Sequence, residues 1–113
     1  MAPKRNPLGL NALQLKTLTL LQHLGRLSDY SRPGGDGGVE LTRLPDPHGD
    51  HFHLGEAVVV SRDATGLRNP AVWMALERKG LINSTPPTVV LTALGRDYDT
   101  GLRQQILHVA DHH

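Results

Sequence analysis

The sequence predicts an α+β fold, and three observations carry that expectation. From Asn11 to Leu27, leucines recur at the spacing of a helix face. In the middle of the chain, Val39–Leu44 alternates apolar and polar residues, and Ala57-Val58-Val59-Val60 is β-branched, as short strands are. Around residues 61–80, cap and stop residues mark two short helices.

The first helix is bounded by Asn11 as N-cap and ends near Gly25. At 100° per residue, Leu10, Leu13, Leu20, Leu21, Leu24 and Leu27 fall within an arc of about 120°, the width of a core-facing stripe. Leu15 and Leu18 fall outside it, so a second apolar face needs a cover from this chain or another subunit. Ser28 to Gly38 follows as a breaker segment centred on Ser31-Arg32-Pro33-Gly34-Gly35-Asp36-Gly37-Gly38. Lacking a Lys-Ser/Thr pair, it is not a phosphate-binding P-loop.

Val39–Leu44 and His51–Val60 are expected to pair as a hairpin across Pro45–Asp50. Ser61 is expected to cap a helix from Arg62 to about Leu67. Asn69 caps the next, Pro70 to Lys79, with Pro70 in the first-turn place that tolerates proline and Gly80 at its end. Val72, Trp73 and Leu76 share its apolar face, so Trp73 reads as core packing. Leu81–Ser84 and Thr88–Thr92 read as two strands around Thr85-Pro86-Pro87. The last element is helical, broken near Gly95 and Gly101, with Leu102, Ile106, Val109 and Ala110 on one face.

Composition narrows the function. The chain has 113 residues, a length suited to a single domain spanning 1–113, with 1–9 and 111–113 expected as flexible tails. Cysteine is absent, which removes disulfides, thiolate metal sites and cysteine nucleophiles. No apolar run approaches a membrane span and the N-terminus shows no signal-peptide core, so a cytoplasmic protein without membrane contact is expected. Net charge is +1 overall. By segment it is +4 over 1–32, −4 over 33–56 and +1 over 57–113, so the ends attract anions and the middle repels them. No nucleophile elbow, HExxH or glycine-rich nucleotide fingerprint occurs, and no enzyme activity is expected.

Leu76-Glu77-Arg78-Lys79-Gly80-Leu81-Ile82 and Val90-Leu91-Thr92-Ala93-Leu94-Gly95-Arg96 resemble two phrases of the MarR-type bacterial regulators. These are a recognition helix running into a wing strand, and a wing strand running into the C-terminal helix. Leu15-Lys16-Thr17-Leu18-Thr19-Leu20-Leu21 fits the family's first helix more loosely. The resemblance implies a winged helix-turn-helix: helix, strand, helix, helix, two-stranded wing and C-terminal helix. An extra acidic loop or hairpin lies near 31–56. It further implies a homodimer that binds double-stranded DNA and regulates transcription. Arg62, Arg68, Asn69, Arg78 and Lys79 are the expected DNA-contacting residues, with Lys4, Arg5 and Arg96 adding backbone contacts.

The sequence departs from the family in its wing. Asn83–Thr88 is short and uncharged where the family has a longer wing with an Asp-x-Arg element. The solvent face of the second short helix would show Ala71, Met74 and Arg78, with no row of residues for base edges. Both departures favour the alternative of a winged helix that binds a protein partner instead. No cofactor is expected. A metal alternative rests on His48, Asp50, His51 and His53, whose imidazoles and carboxylate suit Zn²⁺ or Ni²⁺. On an extended strand, His51 and His53 would point to one face.

Overall fold

A computed structural model describes residues 6–45, 49–85 and 88–109. Helix α1 (Ala12–Leu24) runs through the centre. Strands β1 (Ser31–Pro33) and β2 (Val39–Leu41) follow, then β3 (His51–Leu54) and β4 (Ala57–Val60). A 3-10 helix (Ser61–Arg68) leads into α2 (Pro70–Arg78), β5 (Ile82–Thr85) and β6 (Thr88–Leu91). The chain closes with α3 (Ala93–Asp97), α4 (Arg103–Ile106) and β7 (His108–Val109). The fold is α+β, with two antiparallel sheets ordered β1-β2-β6-β5 and β3-β4-β7.

α1 explains the leucines on its second face. Residues 17 to 21 are all buried, so the helix is wrapped rather than laid on a surface. The 3-10 helix, α2 and α3 pack against it. Leu18, outside the predicted stripe, is fully buried inside the protomer, and so is most of Ile106 on α4. Of the two leucines on the second face, Leu18 is covered by this chain and Leu15 is partly buried. Two threonines are tolerated there because each satisfies itself within the helix: Thr17 Oγ1 donates to Leu13 O and Thr19 Oγ1 to Leu15 O, both at 2.8 Å. The N-terminus is a full capping box between Asn11 and Gln14. The helix ends about one turn before Leu27, which instead packs over Gly55.

The strand pairing differs from the expected hairpin. Val39–Leu41 does not pair with His51–Val60. It lies between β1 and β6, with Val39 opposite Leu91 and Leu91 opposite Ile82, a buried apolar row across three strands. The presumed breaker segment supplies β1 and its turn. Asp36 (φ 56°) and Gly37 (φ 77°) both take left-handed conformations, and Gly38 N–H donates to Gly35 O at 3.0 Å. That is the geometry a two-residue Asp-Gly hairpin turn needs. His51–Val60 folds on itself as β3-β4, with Phe52 opposite Val59 and Leu54 opposite Ala57 turned inward.

Ser61 is not the cap of the 3-10 helix. Val60 occupies that place without a side-chain bond, and Ser61 Oγ is buried with no partner among the described residues. The last element is not one kinked helix but α3, a turn, α4 and the short strand β7, which joins β4. The break falls at Tyr98–Leu102, where Gly101 has φ 71°, while Gly95 sits inside α3. Ala110 lies outside the described residues, as do Pro86 and Pro87 of the expected wing.

The expected Asn69 cap is present, and Thr92 caps α3. Asn69 Oδ1 accepts from Ala71 N–H at 3.0 Å, and Pro70 opens α2. Thr92 Oγ1 accepts from Gly95 N–H at 3.0 Å and donates to Gly80 O at 2.7 Å, tying α3 to the turn after α2. Thr92→Ala removes both bonds and is expected to cost about 1–2 kcal/mol. Urea unfolding followed by circular dichroism measures it, and an unchanged midpoint would refute the role.

Segment 6–10, read largely as tail, is held to the body. Asn6 Oδ1 accepts from Leu10 N–H (2.8 Å) and Tyr98 Oη–H (2.7 Å), and Leu8 N–H donates to Tyr98 Oη (3.1 Å). No described helix is long and apolar enough to cross a membrane.

Candidate nucleic-acid interface

The five expected contact residues sit on the 3-10 helix and α2, but they are not equivalent. Arg62, Arg68 and Arg78 are exposed. Lys79 is half-buried, and its ammonium is bonded to Leu8 O, so its charge anchors the N-terminal segment. Asn69 is spent on capping. The start of α2 has little left to offer a phosphate. Pro70 has no N–H, Ala71 N–H is taken by the Asn69 side chain, and Val72 N–H donates to Asn69 O at 3.0 Å. The positive character of this face therefore comes from guanidinium groups rather than from backbone amides.

Lys16 of α1, which carried no expected role, pairs with Asp63 of the 3-10 helix at 3.0 Å and neutralises the acid beside Arg62. Arg96 lies on α3 beside Asp97, 3.5 Å away. Lys4 and Arg5 lie outside the described residues.

The exposed side of α2 is mixed in character. Met74 is 63% exposed. It borders a shallow groove of about 390 Å³ shared with Leu67, Pro70, Trp73 and Ser84, with Arg68 and Glu77 at its rim. Trp73 packs partly against the core, and its indole N–H donates to Leu67 O at 3.0 Å. Glu77 is turned to β5, where its carboxylate accepts from Ser84 N–H at 2.9 Å.

The histidine segment forms a sheet face. His51 and His53 point outward from β3 on the same side, their rings 5.9 Å apart and edge to face. His53 is opposite Val58, and Val58 is opposite His108 of β7, which is also exposed. Asp50 is exposed at the start of the hairpin. Among the described residues, no group of three or more His, Asp or Glu side chains is placed to hold a metal. His48 lies outside the described residues. A histidine that the sequence did not single out, His23, reaches Leu54 O through Nε2 at 3.0 Å. Since a carbonyl only accepts, Nε2 carries the proton and links α1 to the β3-β4 turn.

Elsewhere the only ion pair with bidentate geometry is Arg32–Glu40, across the β1-β2 register, at 2.8 and 3.0 Å among the described residues. The hydrogen bonds from Arg32 hold the Glu40 carboxyl below its usual range. It is a surface pair that braces the hairpin.

Comparison of the chain with family models, with curated proteins and with solved structures finds no match.

Proposed function

We infer that the protein is a winged-helix DNA-binding protein, a regulator of transcription of the bacterial type implied by its MarR-like phrases. The element order carries the reading. α1, β2, the 3-10 helix, α2, the β5-β6 hairpin and α3 follow in the sequence that a winged helix requires, and β2 joins the hairpin through β6. β1 and the β3-β4 hairpin, in and just after the acidic segment, are additions to that plan. In this reading α2 approaches the major groove, while Arg62, Arg68 and Arg78 bond to phosphates. The homodimer belongs to the same proposal, since it would set two α2 helices on successive half-sites.

Fluorescence anisotropy with a labelled random-sequence duplex, from about 50 to 200 mM salt, tests it. Three phosphate contacts give a slope of about −2.7 in log K against log salt. Arg68→Ala with Arg78→Ala is expected to reduce the slope to about −0.9. A stoichiometry of two chains per bound duplex supports the dimer. No binding at about 50 mM salt sinks the DNA reading.

The groove beside Met74 favours a second reading, in which the same face of α2 docks a protein partner. An exposed methionine next to a half-buried tryptophan is an adaptable apolar contact surface. Failure to bind any duplex, with the fold intact, is the result that this reading expects.

A further inference from the structure

We propose that the cleft between the end of α1 and the α3–α4 turn binds a small phosphate-bearing anion. The cleft has a volume of about 630 Å³. Three arginines from three elements line it: Arg26 just past α1, Arg96 on α3 and Arg103 at the start of α4. Gln22, Thr100, Asp97 and Asp99 are also part of its lining.

The three guanidiniums outnumber the two carboxylates of the cleft. Asp97 is paired with Arg96, and Asp99 Oδ1 accepts from Gly101 N–H at 3.0 Å. Arg26 and Arg103 have no carboxylate partner among the described residues. Burial and then the charge of Arg26 lower the pKa of the Arg103 guanidinium, which stays ionised near neutrality. Arg26 and Arg103 repel one another, and with Arg96 against Asp97 and Asp99 the lining keeps one positive charge in excess. An anion with several oxygens removes that repulsion and accepts from both guanidinium forks at once.

The walls are already set for a ligand. Gln22 Nε2 donates to Gly95 O (2.8 Å) and to Tyr98 O (2.7 Å), fastening the turn to α1. The Thr19 and Thr100 hydroxyls are hydrogen-bonded at 2.6 Å where Thr19 is fully buried. A turn fixed at both ends loses little freedom on binding, which favours affinity for a small ligand. Tetrahedral oxyanions suit three forked donors better than a lone carboxylate does. The same chemistry is present in the backbone of a nucleic acid, so the test separates the two sources.

Isothermal titration of the full chain with pyrophosphate at low salt is the direct measurement. Saturable binding is expected, weakened at least ten-fold in Arg26→Gln and in Arg103→Gln and changed less than two-fold in Arg43→Gln, which removes the same charge elsewhere. Without ligand, Arg103→Gln is expected to melt no lower than the parent, because it relieves a repulsion. This shows that the loss of binding is not a loss of fold. No heat with pyrophosphate, or an equal loss in Arg43→Gln, overturns the proposal. A drop in duplex affinity for the Arg26→Gln/Arg103→Gln protein, with no pyrophosphate heat in the parent, overturns it in favour of a nucleic-acid backbone contact.

Discussion

Gly95→Ala is expected to destabilise the protein by about 3 kcal/mol, the upper end of what overpacking costs. A Cβ at residue 95 would stand 2.0 Å from Leu81 O and 2.9 Å from both Leu81 C and Leu91 Cδ1. The obstacle is backbone, and it is held. Leu81 O accepts from Thr92 N–H at 3.1 Å, with the Thr92 hydroxyl also 3.0 Å away. Moving it aside pulls on the β5-β6 sheet and on the cap of α3 together. Helix propensity favours alanine by about 1 kcal/mol and does not offset a clash of this size. Urea unfolding should show a lower midpoint with an unchanged slope. A loss below about 0.5 kcal/mol would mean that α3 is not seated on Leu81.

The second large effect is at the crossing of α1 with the 3-10 helix. A Cβ on Gly66 would lie 1.9 Å from Thr17 Oγ1 and 3.2 Å from Thr17 Cβ. Here the obstacle is a single hydroxyl, so the cost can be removed from the other side. Gly66→Ala alone is expected to cost about 3 kcal/mol. Thr17→Ala alone should cost about 1 kcal/mol, because the hydroxyl's bond to Leu13 O is lost without stranding a donor. Combining them should recover at least half of the Gly66→Ala loss, a coupling of roughly 1.5 kcal/mol or more. Thermal or urea unfolding of the four proteins in the cycle decides it. Simple additivity would show that the two residues do not share that space.

What the sequence discloses depends on how local the cause is. Caps act over three residues, so Asn11, Asn69 and Thr92 are legible, and Gly80 with φ 78° marks the end of α2 as its position suggests. Ser61 misleads for the same reason: a good capping residue stands one place too late, inside the 3-10 helix. Strands of three residues carry too little alternation to be read. β1 is Ser-Arg-Pro, polar and proline-ended, and is a strand because it forms the sheet edge beside β2. The local clue was Asp36-Gly37, a hairpin turn hidden within a glycine-rich run.

The sites divide in the same manner. Arg62, Arg68 and Arg78 are exposed where a local reading puts them, on the 3-10 helix and α2. Lys79 is not available as a free cation, because its partner Leu8 lies 71 positions away and no local pattern announces the bond. Arg26 and Arg103 are also far apart in the chain. Only the docking of the α3–α4 turn on α1 through Gln22 and Thr19 brings them to one cleft.

The wrapped position of α1 has a consequence for synthesis. The helix leaves the ribosome before the segments that cover it, the 3-10 helix, α2 and α3, the last of which ends at Asp97. At about 5–20 residues per second, translation from Leu24 to Asp97 takes on the order of 4 to 15 s. Until the 3-10 helix and α2 emerge, Leu18, Leu20, Leu21 and Leu24 lack most of their native cover. A nascent chain stalled before residue 61 should therefore be a client for chaperones that hold exposed leucine-rich helices, and release should follow completion of α3.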